Sequence, residues 1–205
     1  MATNMALKRG RKAQRRKQVV AQKRRVEAQE ASLPARVLRA ARSPIRHCFL
    51  TESLFDDGMG TLILARGATP HYLELSSFLL DVFCLGIKDV TFRSLEGETF
   101  EMYMSAADAA SPLVSVNPGY ARKLLRDLAA WSQSIGFAPH RDFAAVEPIF
   151  GDVSADASDA VFRFGCDGRP FYIPGPTESA AQVRRQIEQL RKVLGDGAFG
   201  FEAAA

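Results

Sequence analysis

Phe78-Leu79-Leu80-Asp81-Val82-Phe83-Cys84-Leu85-Gly86-Ile87 is the longest near-apolar stretch of the chain, ten residues broken by Asp81. Its reading decides the fold. The residues that lead into it, from His71, alternate in polarity. That pattern fits a strand that starts half-covered and ends covered on both faces. A buried helix beginning near Ser77 fits the same run, because periodicity does not separate the two at this length. The strand reading runs from His71 to about Leu85. Two predicted strands precede it, His47 to Phe55 and Thr61 to Arg66. Between them Asp56-Asp57-Gly58-Met59-Gly60 forms a turn, with glycine available for positive φ. Gly67 to Pro70 turns the chain again. Gly86 to Asp89 is read as a break, followed by a short strand from Val90 to Arg93.

Downstream the pattern becomes helical. Asn117-Pro118 is an N-cap followed by proline at the first helical position. Tyr120, Leu124, Leu128, Trp131 and Ile135 recur at helical spacing until Gly136. Pro139 opens a shorter helix through Phe143, Val146 and Ile149, ending near Gly151. Residues 152–159 read as an acidic loop. Val161 to Phe164 and Phe171 to Ile173 flank Asp167-Gly168, a type I′ hairpin signal. Ser179 and Gln182 make a capping box. The last helix carries Val183, Ile187, Leu190 and Leu194 on one face and stops at Gly195. Ala198 to Phe201 reads as a short edge strand. Together these elements predict an α+β domain: an antiparallel or mixed sheet from residues 46–93 and 160–174, packed against helices 118–135 and 180–194.

Charge divides the chain in two. Residues 1–46 carry 14 Lys or Arg and two acids, a net +12, whereas residues 47–205 carry 13 and 21, a net −8. The first part reads as a basic arm and linker, the second as an acidic globular domain. Ten basic residues fall in one stretch: Lys8, Arg9, Arg11, Lys12, Arg15, Arg16, Lys17, Lys23, Arg24 and Arg25. Residues 11–31 favour helix by composition. Val19, Val20 and Val26 make no stripe wide enough to bury, so an isolated arm is a fraying helix or disordered. A second short basic helix, roughly 35–42, lies between Pro34 and Pro44, and Pro44 marks the entry to the globule.

A basic arm on an acidic globule points to a polyanion. Lys and Arg contacts to phosphate give affinity without reading sequence. Residues 1–46 contain no Phe, Trp or Tyr, which argues against base-specific recognition by the arm. The expected partner is RNA, structured or ribosomal, or another polyanion. The competing readings are a solvated or self-docking tail and an anionic membrane surface. Against the latter, the arm lacks the aromatic and leucine face of an interfacial helix.

The three cysteines, Cys48, Cys84 and Cys166, are odd in number and widely spaced. That argues against a disulfide framework and for a reducing compartment. No run of 18 or more apolar residues is present to span a membrane. The N-terminus has no apolar core of a secretory signal. It is Arg-rich and acid-poor like a mitochondrial presequence, but poor in Ser and Thr up to Ser32. A cytoplasmic location is the expectation.

Two segments carry a family resemblance. One is Phe78-Leu79-Leu80-Asp81-Val82-Phe83-Cys84-Leu85-Gly86-Ile87-Lys88-Asp89. The other is Gly165-Cys166-Asp167-Gly168-Arg169-Pro170-Phe171-Tyr172-Ile173-Pro174-Gly175-Pro176. Together the chain resembles an uncharacterised bacterial family that pairs such segments and has no assigned activity. The resemblance covers roughly residues 47–200 and excludes the arm. It implies a bacterial origin and a cytoplasmic location, and it supplies no catalytic residue.

Asp81 is the one candidate catalytic residue. A carboxylate among Phe78, Leu79, Leu80, Val82, Phe83 and Leu85 is costly to bury unpaired. It requires a proton, a cation such as Lys88, Arg66 or Arg93, or backbone donors; a structural buried ion pair is the favoured reading. Metal-dependent nucleases also place an acid on a central strand, and Glu52, Asp56, Asp57, Glu74 and Asp89 are further carboxylates for Mg²⁺. Nothing fixes their spacing. Cys84 with His47, His71 or His140 has the elements of a nucleophile pair, but an apolar setting makes a thiol inert. His47, Cys48, Cys84 and Cys166 lack every usual zinc spacing. Gly58-Met59-Gly60 precedes a strand, whereas a phosphate cradle precedes a helix. No cofactor or metal is expected. The leading function is non-enzymatic: an RNA- or ribosome-associated accessory protein. The alternatives are a small metal-dependent nuclease or other hydrolase centred on Asp81, and a protein-interaction module whose acidic domain binds a basic partner.

Overall fold

The computed structural model describes residues 32–176 and 178–202. The arm residues Lys8 to Arg25 lie outside them. The apolar run does form a strand, but it spans a hairpin. β3 (Tyr72–Asp81) ends at the aspartate, and β4 (Gly86–Glu96) begins after four intervening residues. Gly86 is therefore the first residue of a strand and not a break. Its φ of 75° is one that side chains rarely adopt, and a Cβ there would collide with Ser132. With β1 (Ile45–Thr51), β2 (Met59–Thr69) and β5 (Leu113–Ser115), these strands make a five-stranded antiparallel sheet in the order β4-β3-β2-β1-β5.

Both sheet faces are covered, as the uninterrupted apolar end of β3 predicts. On one face Leu62, Leu64, Phe78 and Leu80 meet Leu124, Leu125 and Leu128 of helix Pro118–Ser134. Asn117 caps that helix, its Oδ1 accepting from Gly119 N at 2.7 Å. On the other face Ile63, Ala65, Leu73 and Leu75 meet Phe100 of a helix over Gly97–Ala110. Sequence pattern assigns no element there. In chain order the helices are α1 (Leu33–Ala40), α2 (Leu54–Asp57), α3 (Gly97–Ala110), α4 (Pro118–Ser134), α5 (Phe143–Val146) and α6 (Ala180–Leu194). α1 precedes the expected domain entry at Pro44, yet Val37 and Ala40 are core residues. Among the described residues no helix is long and apolar enough to cross a membrane.

The C-terminal region departs most from expectation. Asp167 and Gly168 do adopt positive φ, 52° and 79°, as a type I′ turn requires. The turn closes only the isolated bridge between Cys166 and Arg169. Val161 to Phe164 forms no strand. It is an extended strap: Phe162 packs on Phe55 and Tyr120, and Phe164 on Trp131. Its alternation reflects one buried side, not a ladder partner. β6 (Phe171–Tyr172) instead pairs in parallel with β7 (Gly200–Phe201), so residues 160–174 do not join the main sheet. The Ser179–Gln182 capping box is present, and α6 seats Val183 and Leu190 in a second core with Cys84, Ile135 and Tyr172.

Glu147 ties α4 to the turn after α5. Its Oε1 accepts from Arg122 Nε at 2.8 Å and Arg126 Nε at 2.7 Å, and its Oε2 from Arg122 Nη2 at 3.1 Å. Burial raises this carboxyl, but the two arginines outweigh it and hold it below the usual carboxylate range. A depressed folded value means stability present above the unfolded pKa and lost as pH falls through the folded one. Glu147→Gln should cost about 1.5–3 kcal/mol at neutral pH. In urea titrations the gap from wild type should close in acid; a gap constant with pH would show that the charge contributes nothing.

Candidate functional site

A cleft of about 550 Å³ opens between α1 and the β2–β3 turn. Pro34 at the start of α1 and the seating of Val37 and Ala40 in the core fix the helix on the sheet. Arg36 and Arg39, on the same helix, then line the cleft, with Tyr72, Glu74 and Ser94 opposite. Tyr72 and Glu74 lie two apart on β3 and so project from one side of it. Glu74 is in register with Ser94 on β4.

The polar groups are connected. Ser94 Oγ donates to Glu74 Oε2 at 2.7 Å and accepts from Arg36 Nη2 at 3.5 Å. The Arg36 guanidinium also sits 5.1 Å from the centre of the Phe92 ring. Arg46 donates to the carbonyls of Gly67 and Ala68 at 2.9 and 2.8 Å and so holds the rim. Tyr72 is 53% exposed. Two arginines, a carboxylate, a hydroxyl and an open aromatic ring can together take a ligand with an anionic group, a donor and a flat apolar face. Residue patterns do not single out these side chains, because α1, β3 and β4 meet only in the folded sheet. An exposed tyrosine on an otherwise alternating strand is the one trace of them in the sequence.

Asp81 stands at the opposite end of β3. It is 4% exposed, and its Oδ1 accepts from the backbone N–H of Phe83 at 3.1 Å and of Cys84 at 2.8 Å. Burial raises its pKa, while those donors and the Lys88 charge oppose the rise. The expected buried ion pair is corrected accordingly: the carboxylate organises the β3–β4 turn through backbone hydrogen bonds. Lys88 Nζ lies 3.6 Å from Glu178 Oε1, Arg66 is at the far end of the sheet, and Arg93 is exposed. Glu52, Asp56, Asp57 and Asp89 are exposed, and Glu74 belongs to the cleft. Among the described residues no three His, Cys, Asp or Glu side chains group to hold a metal ion.

The two segments that carry the resemblance pack on each other at this turn. Gly165 N donates to Val82 O and Phe171 N to Phe83 O, at 2.8 and 2.9 Å. The Tyr172 hydroxyl donates to Glu178, and burial, then that contact, raises its pKa. Cys84 is fully buried; burial, then the Asp81 charge, pushes its thiol up. Burial pushes the Cys48 thiol up to about 12. Neither is a thiolate nucleophile at neutral pH, and all three cysteines are free. Asp81→Ala orphans the turn donors and should cost about 3 kcal/mol. Asp81→Asn keeps an acceptor oxygen and should cost far less. A raised folded pKa stabilises in acid and loses that contribution as pH rises through it. Asn should therefore do best, relative to wild type, at neutral pH. Equal melting of wild type and Asp81→Ala would remove the turn role.

No protein-family model, no curated protein and no solved structure matches this chain.

Proposed function

We propose that the protein is a nucleic-acid-associated accessory protein of the bacterial cytoplasm, binding RNA or the ribosome. The basic segment from Lys8 to Arg25 acts as its electrostatic arm. The observation that carries this is the charge division, net +12 on residues 1–46 against −8 on the rest. The positive charge does not end with the arm. Arg36, Arg39, Arg42 and Arg46 carry it onto the folded domain, and Arg39, Arg42 and Arg46 are exposed there. Phosphates meeting this surface release counterions, so affinity comes with salt dependence and little sequence preference.

Crosslinking in cells, followed by identification of the bound RNA or protein, tests the reading. RNA enriched on the full chain, and shed from the purified protein as salt rises, is the expected result. Crosslinks to protein alone would favour the interaction-module alternative and overturn this one.

A further inference from the structure

We infer that the cleft between α1 and the β2–β3 turn holds a single ribonucleotide unit of a single-stranded RNA. The inference rests on the nucleic-acid reading above and names the ligand class. Arg36 and Arg39 take the phosphate, Tyr72 stacks the base, and Glu74 with Ser94 reads the ribose 2′-hydroxyl.

Each assignment follows from the chemistry of the cleft. Arg36 is positioned before any ligand arrives, by the Phe92 ring at 5.1 Å and Ser94 Oγ at 3.5 Å. Guanidinium forks held this way suit phosphate. Tyr72 is 53% exposed at the cleft, and no ring contact among the described residues involves it. Its backbone is fixed in the β3 ladder, paired with Thr69 and Glu96. An aromatic side chain open to solvent on a fixed backbone is a stacking platform for an unpaired base.

Glu74 decides the ligand. A site for bare phosphate is weakened by a carboxylate, which repels the anion. Here one stands with the two arginines, its Oε2 engaged by Ser94 at 2.7 Å. The site therefore suits a ligand that carries a hydrogen-bond donor next to its anionic group. A ribose 2′-hydroxyl is such a donor, and it distinguishes RNA from DNA. Tyr72 and Glu74 lie about 7 Å apart along the strand, so base and sugar are read by neighbouring side chains of one face. Only residues 26–32 separate the basic segment from α1. The arm is thus tethered seven residues from the helix whose Arg36 and Arg39 line the cleft.

The test uses the full-length chain and three probes: a short oligouridylate, its 2′-deoxy counterpart and its 2′-O-methyl form. Wild type should prefer the ribose form. Tyr72→Ala should weaken oligouridylate binding about 5- to 150-fold, the range of one base–aromatic stack. It should leave the salt slope unchanged, and Tyr72→Phe should restore affinity. Glu74→Ala, which leaves no acceptor oxygen, should erase the preference for ribose over deoxyribose without weakening binding of the deoxy probe, whereas Glu74→Gln should keep part of it. Arg36→Ala should reduce the salt slope by about 0.7. If wild type binds with a steep salt slope but Tyr72→Ala and Glu74→Ala bind as wild type does, the cleft assignment fails and the arm reading stands. If wild type binds none of the probes, both fail.

Discussion

Deleting residues 1–31 should abolish tight polyanion binding while leaving the domain folded. That segment carries ten Lys or Arg and two acids, so its loss turns the net charge from +4 to −4. If the full chain neutralises about six to ten phosphates, its affinity for duplex DNA should fall on the order of 10³- to 10⁵-fold between about 50 and 200 mM salt. The slope on single strands should be shallower. Charge reversal of Arg15, Arg16, Lys17, Arg24 and Arg25 to Glu should act like the deletion. Folding is expected to survive, because Val19, Val20 and Val26 offer no wide apolar stripe to a core. Filter binding across a salt series, with thermal melting of both forms, measures each part. Equal RNA binding by intact and deleted chains would leave the arm a solvated tail.

Much of the fold is legible because local chemistry and burial agree. Helix α4 follows from Asn117, Pro118 and a stripe at helical spacing, and α6 from its capping box and stripe. β3 follows from the alternation that starts at His71 and leads into the apolar run, a run that a buried helix from Ser77 would fit equally well. The hairpin at Asp81 is not legible in the same way. Cys84 and Leu85 are apolar because a second core, built by α6 and Tyr172, covers them, while Val82 and Phe83 pack on the main core. That contact joins residues about a hundred positions apart, and no local pattern encodes it. α3 escapes for the opposite reason. Only Phe100 of its fourteen residues is fully buried, so it has no broad stripe. The strap at Phe162 and Phe164 shows that period-two alternation reports one buried side and says nothing of a ladder partner. The cleft is hardest to foresee. Arg36, Tyr72, Glu74 and Ser94 become one site only when three elements meet, whereas the charge division is written in the order of residues and needs no fold.

Arg66→Ala should be among the most destabilising single changes in the domain, about 3–5 kcal/mol for three lost hydrogen bonds from a charged donor. Arg66 is 4% exposed, deep on β2 beside the cleft floor. Its Nη1 donates to Ala41 O at 2.9 Å and to Ser43 O, and its Nη2 donates to Phe150 O at 2.6 Å. One side chain thus closes the end of α1, the link into β1 and the turn after α5. Removing it leaves three carbonyls without their donor in a dry interior, which costs more than the bonds themselves contribute. For a chain of this size the melting point should fall by roughly 10 °C. Arg66→Lys keeps the charge but loses the fork, so it should rescue only part. Arg66→Met fills the volume and donates nothing; it should behave like Ala. The damage should also have a location. Two of the three carbonyls belong to the α1–β1 link, so amide exchange in α1 should accelerate more than in α4. A Met variant as stable as wild type, with α1 protected as before, would mean that the carbonyls do not depend on Arg66.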